Sequence, residues 1–294
     1  MKRLTALLLA LSLTLFALPA LGETLPMRTY EFSAKRVVRY ESDTLRYDIE
    51  RFEYEGARCY LTKLWMADPG RQIRKATAAW EEGLAYPSEM AKKVSGAALA
   101  INGSGYVSPV FPWIPENYPG TNSDYYYTPL GSLTITDGEV FRHLPDVPYY
   151  GLTLQEDGLH LHVGDACEDV LAKNPSQTWS FYVECPLIRD HQSILDTTWD
   201  FANRKAIRTI IGKMDDNNYV LLTVTAKISA GLTLVQCVDF LTTSIDPEWA
   251  YDLDGGPSSA LLYRRPNETL LKTVYGNNSK DADVMVFTEL PAGE

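Results

Sequence analysis

Cysteine and histidine are both scarce in this chain, at four residues each in 294. Cys59, Cys167, Cys185 and Cys237 never fall at the short spacings of a structural zinc site. His143, His160, His162 and His191 are scattered. Only His160 and His162 share a strand face, which leaves two readings, a metal pair or surface polar residues, with the second favoured. Glycine-rich phosphate loops are absent, as is any Ser/His/Asp order of a serine hydrolase. No internal repeat is visible. Positive charge is also in deficit: 27 Lys and Arg stand against 38 Asp and Glu, a formal charge of −11. Such a surface repels nucleic acid and anionic lipid. An anionic substrate would therefore need a local basic group. Beyond the first residues no apolar run is long enough to cross a bilayer.

Those first residues form a separate unit. Lys2 and Arg3 precede an apolar run from Leu4 to Leu18, Pro19 breaks it, and Ala20-Leu21-Gly22 offers small residues for cleavage. Residues 1–22 read as a secretory signal peptide, and the mature chain is expected over 23–294, secreted or periplasmic. An exported chain can form disulfides, and four cysteines allow three pairings, none of which the sequence selects. Cys237 lies in an apolar helical run and reads as a buried free thiol. The hydrophobic share of 45% is ordinary for a globular protein with a full core.

Periodicity then sketches the fold. Leu45, Tyr47 and Ile49 alternate with polar residues, so Leu45 to Tyr54 reads as a strand, and Cys59 to Ala67 as another. "PSEMAKKVSG" reads as a short helix, with Ser88 as cap, Glu89 at its start and Gly96 as its stop. "AALAIN", Ala97 to Asn102, is a buried strand. Hairpins are expected at Asp137-Gly138, at Asp157-Gly158 and near Asp215 to Asn218. Thr178 to Glu184 reads as a strand, and "TLVQCVDFLTTS" as a helix capped by Thr233. A last pair of strands flanks "RPNE". Strands outnumber scattered helices, which gives an α+β fold, one large domain with mixed or antiparallel sheets. Tyr106 to Pro129 is dense in proline and aromatics and has no period. It reads as an ordered loop, either a platform for sugar rings or a proline-braced cover.

The chemistry concentrates in "WAYDLDGGPSSALLY", Trp249 to Tyr263. Residues two apart on a strand share a face, so Asp252 and Asp254 are expected side by side, with one carboxyl's proton affinity raised by the other. Gly255 and Gly256 allow backbone N–H groups to approach a ligand, and Ser258 and Ser259 add hydroxyls. Taken alone, this is an ordinary hairpin turn. Two other strand ends accompany it. "AINGSGY" ends in Asn102 and Gly103. "IRTIIG" begins with Arg208 and Thr209, and a guanidinium there can grip a phosphate.

The ordered set "MAKKVSGAALAINGSGY", "CPLI", "IRTIIG…YVLLTV", "GLTLVQCVDFL" and "YDLDGGPSSALLY" resembles the phosphodiester glycosidase family. The resemblance spans roughly Cys59 to Tyr263. It implies cleavage of the sugar C1–O bond of a sugar-1-phosphodiester, giving free sugar and a phosphomonoester. Some bacterial relatives are connected with exopolysaccharide. It implies Asp254, Arg208 and Asn102 as catalytic residues, and a sugar and phosphate bound by Gly103, Thr209, Asp252, Gly255, Gly256, Ser258 and Ser259, with no metal and no cofactor. The family pattern has asparagine where this chain has Asp252, a third glycine at Pro257, Asp-Gly-Arg at Thr225-Ala226-Lys227 and a glutamate at Gln236. The rival expectation is a glycan-binding protein that keeps the fold without the activity.

Overall fold

The computed structural model describes residues 33–78, 83–106, 131–181 and 185–291. Two antiparallel sheets dominate it. The larger has eight strands in the spatial order Lys35–Glu41, Leu45–Tyr54, Ala57–Met66, Asn218–Val224, Arg208–Lys213, Trp249–Asp252, Pro186–Arg189, Gln192–Ser193. The second has five, ordered Leu271–Tyr275, Leu261–Arg264, Ala97–Asn102, Asp283–Thr288, Ile73–Thr77. A three-stranded sheet and a two-stranded hairpin complete the fold. All pairings among the described strands are antiparallel. This is the expected single α+β domain.

Alternation explains the layering. Leu45, Tyr47 and Ile49 of the large sheet point to the same side as Ile211, Leu221 and Tyr251. There they meet Leu99, Ile101, Leu261, Met285 and Phe287 of the five-stranded sheet in one cluster. Each fully buried aliphatic side chain contributes about 1.5–3 kcal/mol, so this inter-sheet layer is the main source of stability. The outer face of the large sheet, with Phe52, Leu61, Ile210 and Leu222, is covered by the helix Leu234–Phe240 through Cys237, Val238 and Phe240. The outer face of the second sheet, with Ala100, Leu262, Val284 and Val286, packs on the helix Pro87–Ala91 through Met90 and Ala91. The order of layers is helix, sheet, sheet, helix.

Several local expectations shift. The Tyr149–Gln155 and Gly158–Asp165 strands pair Gln155 with Gly158, so the turn is Glu156-Asp157, one residue earlier than expected. The helix at residue 87 takes Tyr86 as its N-cap position. Ser88 lies inside its first turn, donating its N–H to the Asn277 side chain. Thr233 caps its helix as expected, with Gln236 completing the capping box. The strand expected over Thr178 to Glu184 is observed only over Gln177–Trp179, and residues 182–184 lie outside the described residues. So do the expected signal peptide and the aromatic segment after Tyr106. Strands at Lys35–Glu41 and Asp283–Thr288 were not anticipated. All four cysteines are buried thiols, and none is in a disulfide. No helix among the described residues is long and apolar enough to cross a membrane.

Candidate active site at the sheet junction

The segment 252–260 is where the chain leaves one sheet for the other. Asp252 closes a strand of the large sheet opposite Ile210, and Leu261 opens a strand of the five-stranded sheet opposite Ile101. The crossing is stitched to both. Leu253 donates its N–H to the Thr209 carbonyl and Gly256 to the Ile207 carbonyl, both on the large-sheet side. Asp254 donates its N–H to the Gly103 carbonyl on the other. The "AIN", "IRT" and "DLDGG" strand ends therefore converge at one place, as an active site requires.

Asn102 acts as the clamp. It is fully buried, donates from Nδ2 to the Asp254 carbonyl at 2.7 Å and accepts from the Ala260 N–H at 3.0 Å. Both ends of the Asp-Gly-Gly turn are thus fixed by one side chain. Asp254 lies between them, partly exposed, with Oδ1 accepting from the Gly255 N–H at 2.7 Å. Its withdrawal from water raises its pKa to about 7, opposed by the hydrogen bonds of Ser258 and Gly255 and assisted by the charge of Asp283. Gly255 and Gly256 are partly exposed beside it, and Pro257 is exposed in the turn Gly256–Ser258. Gly256 has φ +60°, which favours glycine.

Arg208 is fully buried. One Nη donates to the Phe201 and Arg204 carbonyls, each at 3.0 Å, and the other lies 3.4 Å from Asp252 Oδ2. The guanidinium also stacks on the Phe201 ring, 4.2 Å from its centroid. Its Nε has no hydrogen-bond partner, and neither has Asp252 Oδ1. Arg208 therefore ties the segment at 201–204 to the strand end and neutralises Asp252. Burial raises the pKa of Asp252, and Arg208 opposes that shift. Thr209 and Ser259 are fully buried with unpartnered hydroxyls, and Ser258 is nearly so. The residues that face solvent at the junction are Asp254, Gly255, Gly256 and Pro257. Asn102, Arg208, Thr209 and Asp252 form the support beneath.

Sequence reasoning missed a fourth contributor, the start of the strand Asp283–Thr288. Asp283 is fully buried, accepts the Ser104 N–H at 2.8 Å and pairs with Lys75 Nζ at 3.3 Å. Lys75 also donates to the Thr178 carbonyl at 2.7 Å and sits 5.7 Å from the Trp179 ring centroid. Asp281, two residues earlier, is 1% exposed. "DADVMVF" repeats the signal of "YDLDGG", two aspartates spaced two apart at the end of an apolar strand, and that signal could have marked it.

Gly103 shows how tightly these parts fit. A Cβ there would meet Asp283 Oδ1 at 1.8 Å, and that carboxylate is pinned by Ser104 and Lys75. Gly103→Ala should cost about 1–3 kcal/mol and lower Tm by roughly 5 °C. On an Asp283→Ala background the further loss should be much smaller than on the wild type, which thermal melts of the double-mutant cycle will read.

The two strand histidines are separately engaged. His160 Nε2 lies 2.6 Å from Asp157, whereas His162 is buried, between Asp165 at 2.6 Å and Thr153 at 2.9 Å. His162 is thus a core residue and not a surface one, and burial lowers its pKa. Among the described residues, no three His, Cys, Asp or Glu side chains are arranged to hold a metal ion. A surface cavity of about 150 Å³, lined in part by His160, Arg189, Lys213 and Trp249, lies at the opposite ends of the same strands. It is remote from Asp254 and not part of this site.

Comparisons with known proteins identify a family and a shared fold. A model of the phosphodiester glycosidase family matches residues 95–288. The catalytic domain of zebrafish N-acetylglucosamine-1-phosphodiester alpha-N-acetylglucosaminidase, auto-inhibited by its pro-peptide, has a similar structure. Its TM-score is 0.62 at 17% identity, over 89% of each chain. A hypothetical protein from Synechocystis is similar with TM-score 0.54 at 14% identity, over 87% of this chain and 64% of that one. At these identities the likeness is one of fold. No curated protein sequence matched.

Proposed function

This chain belongs to the phosphodiester glycosidase family, and we propose that it hydrolyses the sugar C1–O bond of a sugar-1-phosphodiester outside the cytoplasm. The observation that carries the reading is the position of Asp254. It is the partly exposed carboxylate at the junction, held by backbone and by Asn102 on both sides. The similar zebrafish protein is named for the same class of bond.

The geometry suits that reaction. A phosphomonoester leaves as a stable anion and needs little help from an acid, so one carboxylate can carry the chemistry. Asp254 takes a proton from the attacking water, or attacks C1 itself to form a glycosyl ester that water then opens, freeing the carboxylate. The C1–O bond breaks, its electron pair goes to the departing phosphate oxygen, and the sugar gains the water's hydroxyl. Gly255 and Gly256 offer backbone where the sugar approaches. Arg208 lies beneath the strand end, paired with Asp252, with a buried Nε that has no hydrogen-bond partner. Carbohydrate on a cell surface or in an exopolysaccharide is the substrate class we favour, reached through secretion by residues 1–22.

A second reading draws on the burial of Arg208. Its guanidinium is committed to Asp252 and two carbonyls, which also suits a glycan-binding protein that retains the fold. The two readings separate when the mature chain is incubated with a panel of sugar-1-phosphodiesters and both products are followed. Hydrolysis predicts free sugar and phosphomonoester in equal amounts, at a rate that rises with pH through about 7 as Asp254 ionises. Glycan binding with no turnover of any diester would favour the second reading.

A further inference from the structure

One peptide group at the junction is bonded at both ends. The Ser104 N–H donates to Asp283 Oδ1 at 2.8 Å, and the Gly103 carbonyl of the same peptide accepts the Asp254 N–H at 3.1 Å. A peptide unit is planar, so its two ends turn together. The Asp283 backbone adds to the hold, because its carbonyl accepts the Gly103 N–H at 3.1 Å. On the far side, Asn102 Nδ2 donates to the Asp254 carbonyl at 2.7 Å. Both backbone groups of Asp254 are therefore fixed, one by Asn102 and the other by the Gly103–Ser104 peptide. Asp283 has its own neighbour. In the five-stranded sheet Lys75 stands opposite Met285 and Asp283 opposite Thr77, which makes them diagonal neighbours on the face that carries Ile73, Met285 and Phe287. Both side chains are fully buried there, with Lys75 Nζ 3.3 Å from Asp283 Oδ2. Asp283 Oδ2 completes no hydrogen bond, and the hydrogen bond of Nζ goes to the Thr178 carbonyl at 2.7 Å. The contact is one of charge. A buried ion pair gives little net stability over two well-packed apolar side chains, so stability alone does not account for it.

We infer that Asp283, held in place by Lys75, is a positioning residue for Asp254 and acts through the Gly103–Ser104 peptide. A charged acceptor makes the bond from the Ser104 N–H shorter and stronger than a neutral one would. That bond polarises the peptide and leaves the Gly103 carbonyl a better acceptor for the Asp254 N–H. Lys75 supplies the countercharge and, through Thr178, ties the unit to the three-stranded sheet. Gly103 belongs to the same device. A Cβ there would stand 1.8 Å from Asp283 Oδ1, so glycine lets the carboxylate lie directly against the peptide. Misplacing a reacting group by about 1 Å can cost about 10²-fold in rate. A buried pair beneath the strand ends can therefore govern the reaction through where it puts Asp254.

This inference rests on the hydrolase reading for its rate measurement only. Two double variants separate position from charge and fold. Lys75→Met with Asp283→Asn strands no charge and leaves an amide oxygen for the Ser104 N–H. Lys75→Met with Asp283→Leu also strands no charge but offers that N–H no acceptor. The primary measurement is amide hydrogen exchange followed by NMR, which needs no substrate. In the leucine variant the Ser104 and Asp254 amides should exchange at least about 10-fold faster than in the asparagine variant, while Ile211 and Leu221 of the large sheet keep their protection. Equal protection of Asp254 in the two variants overturns the inference whether or not the protein is a hydrolase. If the leucine variant does not fold, Lys75→Met with Asp283→Ala takes its place, with the same two outcomes. Where the wild type hydrolyses a diester, kcat should fall about 10²-fold in the leucine variant with KM little changed, and the asparagine variant should recover most of the loss. A leucine variant with the wild-type kcat, or an asparagine variant that loses as much, also overturns it.

Discussion

Asp254→Asn is expected to abolish measurable diester hydrolysis while making the folded protein more stable above neutral pH. The activity loss follows from removing what is, among the described residues, the one partly exposed carboxylate at the junction, and roughly 10²–10⁴-fold is typical for such a group. The stability gain follows from linkage. The folded-state pKa of Asp254 is raised to about 7, above the usual unfolded value of about 3.9. The folded protein therefore holds a proton that the unfolded chain releases between those values. Its stabilising share is complete near pH 4 and is lost as pH rises through about 7. Asparagine does not carry the charge whose burial is unfavourable. The variant should match the wild type near pH 4 and exceed it by about 2 kcal/mol above pH 7, discounted for partial exposure. Thermal melts across that range, beside product assays, check both halves. A variant that loses activity with no pH-dependent gain would mean Asp254 is ionised at little cost.

Arg208→Ala should produce the largest loss of stability. It leaves Asp252 fully buried with no cation, and it frees the Phe201 and Arg204 carbonyls. Breaking a buried pair from one side costs about 3–5 kcal/mol, or roughly 10 °C in Tm for a domain of this size. Removing both partners as Arg208→Met with Asp252→Leu should recover most of that, because no charge is then stranded. Arg208→Lys keeps the charge but has no fork for the two carbonyls, and should fall between. Equal losses in the single and double variants would show that the guanidinium's carbonyl bonds, and not the ion pair, carry the stability.

What the sequence shows plainly is local and periodic. Leu45 to Tyr54 is legible because Leu45, Tyr47 and Ile49, facing the inter-sheet core, alternate with the half-exposed Arg46, Asp48 and Glu50. The hairpins are legible where Asp137 and Gly138 take positive φ. Asn102, Arg208 and Asp254 stand out as polar residues at apolar strand ends, and the fold brings them together. The Asp283–Thr288 strand escapes because it is central and buried on both faces, so it shows no alternation. Lys35–Glu41 escapes for the opposite reason, as a largely exposed edge strand. Asp283 and Lys75 come from the next two strands beyond that of Asn102 in the assembled sheet, and Asp281 from a bridge just before the first of them. Long-range pairing of that kind leaves no mark at any one position. Burial also changes what the visible residues do: Arg208 reads from sequence as a phosphate grip, whereas in the fold its guanidinium holds Asp252.

The central claim is that water replaces phosphate at the sugar's C1. The most direct measurement is hydrolysis of a sugar-1-phosphodiester by the mature chain in water enriched in oxygen-18, with mass analysis of the phosphomonoester. Cleavage of the C1–O bond predicts a phosphomonoester free of the label, with free sugar as the other product. Label in the phosphate, or release of a sugar 1-phosphate, would place the break at phosphorus and contradict the account.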